Sequence, residues 1–309
     1  MKKLLLGVCM ILMSINGWCW GFFGHKHINY HAVFLLPPEM MIFYKKNIGF
    51  LTEHAVDPDK RRYAVAAEAP RHYIDMDRYG SPPYTGLPRV WADAVEKFSE
   101  DSLNQHGIGP WWVQVMMARL TNAFRGAETT KILRLSAELG HYIADLHVPL
   151  HASSNHNGQH TNQHGIHGFW ESRIPEMLAE KNWDFFIGHA AYINDPLNYI
   201  WDRVIESAKA ADTVLRFEKQ LSNRFASDAK YAWEDRNGVL IRQYSSGYSL
   251  AYNEMLNNMV ERRMRMSMYA VACFWYTAWA NAGQPSLKNL VGEVLSDTEA
   301  KELADLNTG

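Results

Sequence analysis

The sequence has 309 residues, with 31 Lys and Arg against 33 Asp and Glu, so its formal net charge at pH 7 is −2. This length supports one large domain or two small ones. A net charge so near zero excludes a general electrostatic attraction to nucleic acid or to an anionic membrane. Histidine is frequent, with 14 residues, and seven of these lie between His141 and His167.

The first 19 residues have the pattern of an export signal. Two lysines precede a short apolar run, Leu4–Ile15, and small residues stand near position 19, where a signal peptidase would cut. The run is too short to cross a bilayer as a helix; an uncleaved anchor and a lipid on Cys19 are the alternatives. Cleavage after residue 19 leaves a mature domain of residues 20–309 that begins with Trp20 and keeps one cysteine, Cys273. We therefore expect an exported protein, periplasmic or extracellular, with a buried thiol and no internal disulfide.

Helical periodicity dominates the rest of the chain and strand-like alternation is rare, so we predict an all-α fold in one compact domain. The predicted helices, in chain order, are Asn29–Phe50 with a break at Pro37 and Pro38, Arg61–Glu68, Trp111–Ala127, Thr129–His147, His167–Lys181, Pro196–Leu221, Asn223–Trp233, Gly247–Ala280 and a short amphipathic segment, Leu290–Leu306. Loops are predicted over Gly80–Pro88 and Ala152–Gly165. The stretch Gly247–Ala280 is strongly apolar on one face and should be the central helix.

Two imidazole–carboxylate pairs have a spacing of four residues, His141 with Asp145 and His167 with Glu171. Residues four apart lie on one face of a helix, one turn above the other. Imidazole and carboxylate side by side are typical zinc ligands. Two such pairs close together in the chain, with more His and Asp upstream, indicate a cluster of several zinc ions.

The segments around these pairs supply further candidates. Pro149 ends the helix that carries the first pair, so His151 can turn toward a neighbouring ion, whereas His147 falls on another face and is expected to be structural. Beside the second pair, His164 is an alternative partner for Glu171.

Upstream, His72 follows Asp57 by fifteen residues. Asp57 lies in a turn-like sequence in which Asp59 competes for the same role. Asp75 is placed to orient His72 through its other ring nitrogen, or only to cap a turn.

Nine residues in a fixed order carry a resemblance to a known superfamily: Trp20, His25, Asp57, His72, His141, Asp145, His151, His167 and Glu171. The order and the motifs His-Tyr-Ile-Asp at His72, His-Tyr-Ile-Ala-Asp at His141 and Pro-Leu-His at His151 resemble the zinc-dependent bacterial phospholipases C and the fungal-type single-strand nucleases. The resemblance is specific from Trp20 to Pro175, and beyond that it rests on helical character.

The resemblance implies three zinc ions. The implied ligands are, ion by ion, Asp57, His72, His141 and Asp145; His151, His167 and Glu171; and Trp20, through its amino nitrogen and carbonyl oxygen, with His25 and a bridging Asp145. His27 is the rival to His25.

The implied activity is zinc-dependent hydrolysis of phosphoric esters. Zinc lowers the pKa of bound water from near 16 to roughly 7, so a hydroxide that bridges the first two ions can attack phosphorus, and the ions neutralise the charge that grows on the phosphoryl oxygens. We expect Asp57 to steer the water, and Lys60 to contact the phosphate in place of the arginine that the nucleases use. No organic cofactor is required.

The motifs divide between two substrates. Glu171 in place of Asp, the short interval from His151 to His167 and the lack of disulfides resemble the phospholipases, so the main expectation is a phospholipase-C-like enzyme. The His-Tyr-Ile-Asp motif and the spacing from Trp20 to His25 resemble the nucleases, so a single-strand-specific endonuclease or 3′-nucleotidase is the alternative. Phe23 and Pro58 depart from the choline-binding phospholipases. A non-catalytic zinc protein, with every coordination position closed by protein atoms, is the alternative of another class.

Aromatic residues near the motifs have two possible roles. Tyr73, Phe169 and Trp170 could stack on bases or pack in the core, and Trp111-Trp112 could touch a membrane transiently or pack between helices, which we expect. The expected partner is a phosphodiester substrate, a phospholipid headgroup or single-stranded nucleic acid, and the protein is expected to be a monomer.

Overall fold

The computed structural model describes residues 21–82, 84–236 and 238–290. The expected export signal, Trp20 and nearly all of the predicted segment Leu290–Leu306 lie outside these residues, so the expectations for them stay predictions.

Helices make up most of the described chain, which confirms the predicted all-α class. The α-helices are α1 (Phe22–Ala32), α2 (Pro38–Lys46), α3 (Ile48–Glu53), α4 (Asp57–Arg61), α5 (Trp91–Phe98), α6 (Glu100–His106), α7 (Gly109–Arg125), α8 (Thr129–Asp145), α9 (Ile166–Gly168), α10 (Ile174–Asn182), α11 (Pro196–Arg224), α12 (Ser246–Met255) and α13 (Met259–Asn281). Two 3₁₀ turns, Ala69–His72 and Pro149–Ala152, and a π-helical turn, Phe169–Arg173, lie where candidate ligands occur. The strands are β1 (Tyr231–Arg236) and β2 (Val239–Tyr244).

Helix α13 packs against α1, α7, α8 and α10, as expected of the central helix. Trp275 on α13 is fully buried, and its Nε1 donates to the carbonyl oxygen of Ser136 on α8 at 3.0 Å. Cys273 is buried as predicted, and burial raises the pKa of its thiol. Burial of each large apolar side chain stabilises the fold by about 1.5–3 kcal/mol. The contacts of α13 therefore fix the relative positions of α1 and α8, which carry several candidate ligands.

The predicted helix Asn223–Trp233 is wrong. Helix α11 ends at Arg224, and β1 pairs with β2 in an antiparallel hairpin in which Tyr231 lies opposite Tyr244. The sequence between the strands is Asn-Gly, and Gly238 has a φ of 83°. An Asn-Gly pair between β-branched and aromatic residues is a strong hairpin signal, so the local sequence favours strands here.

The predicted helix Gly247–Ala280 is divided into α12 and α13. Asn257 and Asn258, between them, have φ values of 50° and 54°. Asparagine enters this left-handed region more readily than most residues because its side chain can bond locally. The two residues therefore interrupt the helix, so that α12 and α13 are separate helices.

The Trp111-Trp112 pair packs against the protein. The Nε1 of Trp111 donates to the carbonyl oxygen of Arg89 at 2.9 Å, and its ring meets those of Trp91 and Trp201 edge-on. The guanidinium of Arg71 lies 3.8 Å from the ring centroid of Trp112. Trp111 is thus a core residue. Of the helices in the described ranges, none is both long and apolar enough to cross a membrane.

Candidate metal centre

Helices α1 and α8 bring the first candidate ligands together. Asn29 on α1 donates through Nδ2 to the carbonyl oxygens of Leu51 at 3.1 Å and Ala137 at 3.0 Å, which ties α1 to α8. One turn before Asn29, the ring of His25 stacks on that of His141, with 3.8 Å between centroids. The N-terminal half of α1 thereby reaches the C-terminal end of α8.

The two oxygens of Asp145 face different ligands. Oδ2 lies 2.9 Å from His72 Nδ1 and 3.2 Å from His141 Nε2. Oδ1 lies 3.3 Å from His25 Nε2. This fully buried carboxylate therefore faces His25 through one oxygen and His72 and His141 through the other.

A further group forms where the chain leaves α8 and enters the π-helical turn. Glu171 Oε2 lies 2.9 Å from His167 Nε2 and 3.6 Å from His151 Nε2. The spacing of four keeps His167 and Glu171 on one face, and the 3₁₀ turn after Pro149 directs His151 toward them. All three side chains are buried.

Three groups of potential ligand atoms thus occur within the described residues, each with its atoms within 4.8 Å of one another: His25, His141 and Asp145; Asp59, His72 and His141; and His151, His167 and Glu171. Zinc bonds of about 2.1 Å in tetrahedral geometry place ligand atoms roughly 3.4 Å apart. The 3.0 Å between His141 Nε2 and His72 Nδ1 and the 3.7 Å between His141 Nε2 and Asp59 Oδ1 bracket that separation.

The expected grouping of Asp57 with His72 and His141 is not what the structure shows, because Asp59 takes that place. The side chain of Asp57 instead accepts from Lys60 Nζ at 3.0 Å and lies 2.5 Å from His54 Nδ1. Residues two apart on a helix point about 200° apart. Since α4 begins at Asp57, the two carboxylates leave it on opposite sides, and Asp59 is the one that faces His72 and His141.

The structure places Lys60, the expected phosphate contact, beside Asp57. Its Nζ contacts Asp57, and it is absent from the lining of the cavity over the ligand groups. The cavity has a volume of about 380 Å³ and is lined by Arg62, Tyr73, Asp75 and Arg78, with His72, His151, His156, His160 and His167. Arg62, three residues after Asp59, is the basic residue of this segment that lines the cavity.

The tautomers of the buried histidines fit a metal centre. His141 donates from Nδ1 to Ala55 O at 2.8 Å, His151 to His72 O at 2.6 Å, and His167 to His156 O at 3.0 Å. Each ring therefore presents the Nε2 lone pair to a carboxylate. A cation between these two acceptors would stabilise the arrangement. The ring nitrogens of His25, the Nε2 of His151 and both oxygens of Glu171 are buried without a hydrogen-bond partner, so these residues fit the ions that the chain's motifs imply.

The pKa values of the buried histidines and carboxylates also favour a bound cation. Burial lowers the pKa of His25 and of His167 to about 4, so both rings are neutral near pH 7. Burial raises the pKa of Glu171 to about 8. Burial opposes ionisation of Asp145 too, but His141 and His151 hold its pKa well below the ordinary value. A buried cluster of this composition favours a cation.

The alternative ligands lie elsewhere. The ring of His27 packs against that of Phe23 on another face of α1, and His164 is exposed. His147 donates to Ile143 O at 2.7 Å, in agreement with a structural role. Asp75 lies 3.7 Å from His106 Nδ1, and the carboxylate on the Nε2 side of His72 is that of Glu68. Phe169 and Trp170 are core residues, with Phe169 stacked on Tyr244.

Sequence reasoning missed three residues near the centre. Glu68 precedes His72 by four residues, the spacing of the two recognised pairs, and could have been found from it, whereas His156 reaches the cluster through tertiary packing. The three-residue spacing from Asp59 to Arg62 would have pointed to Arg62 if Asp59 had been preferred over Asp57.

Comparison with known proteins assigns the arrangement to a family. The family model for S1/P1 nuclease matches residues 20–274, a range that includes every candidate ligand. A comparison with curated proteins finds no match. Because the matched range covers most of the chain, the protein belongs to the S1/P1 nuclease family, whose members are zinc-dependent hydrolases of phosphoester bonds.

Proposed function

We propose that this protein is an exported, monomeric nuclease that uses three zinc ions to cleave phosphodiester bonds in single-stranded nucleic acid. The observation that supports it best is the cavity in which His72 and His151, from two ligand groups, lie beside Arg62. Family membership favours nucleic acid over phospholipid, so the nuclease alternative replaces the expectation of a phospholipase-C-like enzyme.

The ligands proposed are His25, Asp59, His72, His141, Asp145, His151, His167 and Glu171, with Trp20 retained from the sequence. When bound, the ions act as Lewis acids toward water and phosphoryl oxygens. The protein would hold them with carboxylates and imidazoles, and backbone carbonyls orient three of the imidazoles, those of His141, His151 and His167. Burial excludes bulk water, which strengthens every charge interaction in the site.

The cavity residues would bind and orient the substrate. Arg62 and Arg78 supply guanidinium groups, which suit phosphate oxygens, and Tyr73 supplies a ring on which a base can stack. Burial and the nearby Asp77 raise the pKa of Asp75 to about 6. Near neutrality a fraction of Asp75 therefore carries a proton that it can donate to a leaving oxygen in the same cavity.

Phospholipid hydrolysis is the second candidate, and one observation favours it. A larger, mostly apolar cleft of about 1090 Å³ shares Tyr73 with the cavity and is lined by Trp91, Trp112 and Val115 among others. Such a cleft has room for an acyl chain. Its two guanidinium groups, Arg71 and Arg89, are already paired with Glu68 and Asp202.

The test offers denatured DNA, duplex DNA and phosphatidylcholine vesicles to the zinc-loaded mature protein. We expect cleavage of denatured DNA, slower cleavage of duplex DNA and no release of phosphocholine, with all activity abolished by a chelator. Asp145→Asn serves as the control for a contaminating nuclease. Release of phosphocholine without DNA cleavage would establish the phospholipase, and a zinc-loaded but inert protein would contradict both candidates.

A further inference from the structure

Glu68 is a buried carboxylate to which neither the sequence motifs nor the proposed mechanism gives a role. It is fully buried, four residues before His72. Its Oε2 accepts from Arg61 Nε at 3.2 Å and from Arg71 Nη1 at 2.7 Å, and its Oε1 accepts from the hydroxyl of Tyr142. Two guanidinium groups and a hydroxyl thus fix the position of this carboxylate and keep it ionised.

His72 differs from the other candidate histidines in the nitrogen that it turns toward the centre. His141, His151 and His167 donate from Nδ1 to carbonyl oxygens and present Nε2. His72 presents Nδ1, which lies 3.0 Å from His141 Nε2. Its Nε2 faces the opposite way and lies 3.7 Å from Glu68 Oε1.

A carboxylate on that side selects one tautomer of the ring. The separation is longer than a hydrogen bond, so the effect is electrostatic: the negative charge attracts an N–H dipole and repels a lone pair. Glu68 therefore favours the proton on Nε2, which leaves the Nδ1 lone pair for an ion. Carboxylates behind metal-bound histidines act in this way, fixing the tautomer and making the ligand more basic.

We propose that Glu68 is a positioning residue that holds His72 in its Nε2-protonated form and so sets the affinity of the ion shared by Asp59, His72 and His141. This inference rests on the proposed zinc centre. Glu138 provides a matched control, because it is also buried and pairs with Arg61 at 3.0 Å and Arg134 at 2.9 Å, without an ion pair to His72 among the described contacts.

The experiment measures zinc affinity by competition with a chromogenic chelator for the wild type, Glu68→Gln and Glu138→Gln. We expect Glu68→Gln to weaken the binding of one ion by roughly 10- to 100-fold. The affinities for the other ions should be unchanged. Glu138→Gln should stay within about threefold for every ion, since the effect of a carboxylate behind a ligand requires that it face the ring. Circular dichroism checks that both variants fold.

Unchanged zinc affinity in folded Glu68→Gln, or an equal loss in Glu138→Gln, would overturn the proposal. If Glu68→Gln does not fold, the ¹⁵N chemical shifts of His72 in the zinc-loaded wild type decide: a proton on Nε2 supports the role of Glu68, and a proton on Nδ1 refutes it. A wild-type protein that binds no zinc would instead refute the centre itself, which separates the two failures.

Discussion

Asp59 and Asp57 show that the orientation of a side chain determines whether its carboxylate can contribute to the site. Both are buried carboxylates on the same short helix. Asp59 Oδ1 lies 3.7 Å from His141 Nε2 and 3.8 Å from His72 Nδ1, whereas the oxygens of Asp57 are taken by His54 and Lys60. The pair therefore supports an experiment in which each aspartate is the control for the other.

We predict that Asp59→Asn lowers zinc content by one ion per chain and reduces kcat at least 100-fold, since the neutral amide loses the charge that attracts the cation. Asp57→Asn should retain all ions and lose only the contact with His54 and Lys60, worth about 1 kcal/mol or less. Atomic emission after dialysis, together with phosphodiesterase assays, measures both. Loss of an ion from Asp57→Asn with full retention in Asp59→Asn would contradict the placement of Asp59.

At the scale of the elements, the centre depends on how closely α1 approaches α8. A Cβ atom added to Gly140 would lie 2.0 Å from Asn29 Oδ1, so the two helices touch at a glycine. Gly140 is next to His141, and Asn29 is one turn from His25. The contact therefore sets the distance between ligands on different helices.

Gly140→Ala should push α1 away from α8. We expect it to lower the free energy of unfolding by about 1–3 kcal/mol, the typical penalty of overpacking. It should also lower the affinity for the ion that we propose at His25 and Asp145. Gly49→Ala is the control, because a Cβ there meets nothing within 4 Å, and alanine in helix α3 should be neutral or slightly stabilising. Urea unfolding and zinc competition measure the two effects. A Gly140→Ala protein with wild-type stability and zinc affinity would show that the helices can separate without consequence.

Across the whole molecule, the sequence predicts the ligand pairs that depend on local helix geometry. It misses the contacts that depend on how side chains are oriented in the tertiary structure. The pairs His141–Asp145 and His167–Glu171 were predicted because four residues of helix bring their side chains together without help from the rest of the fold. The choice between Asp57 and Asp59 was not, because it depends on where a five-residue helix starts and which side of it faces α8. Glu68 has a short spacing to His72, but its contacts with Arg61 and Tyr142 depend on the tertiary fold, and they fix the direction of its carboxylate.

The wrong helix prediction at the hairpin of β1 and β2 has a different cause. Its Asn-Gly turn and aromatic residues favour strands, whereas the segments on either side have helical periodicity. The site was unaffected, since the described candidate ligands lie on α1, α4, α8 and α9, in the 3₁₀ turns Ala69–His72 and Pro149–Ala152, and in the π-helical turn Phe169–Arg173.

The ligands come from segments far apart in the chain, so metal binding should stabilise the folded molecule as a whole. Without a cation, folding must bury Asp145, Glu171 and several imidazoles against one another, which is unfavourable. A site saturated at a hundredfold excess over its Kd adds about 2.7 kcal/mol to stability, or roughly 5–10 °C in Tm for a chain of this size. We therefore predict that a chelator lowers the Tm of the wild type by at least this amount and that added zinc restores it. Asp145→Asn, which loses the carboxylate that faces His25 through one oxygen and His72 and His141 through the other, should show a much smaller response under the same conditions. Equal Tm values for the wild type with and without chelator would mean that the buried cluster is stable without a cation, and the proposed zinc centre would then be wrong.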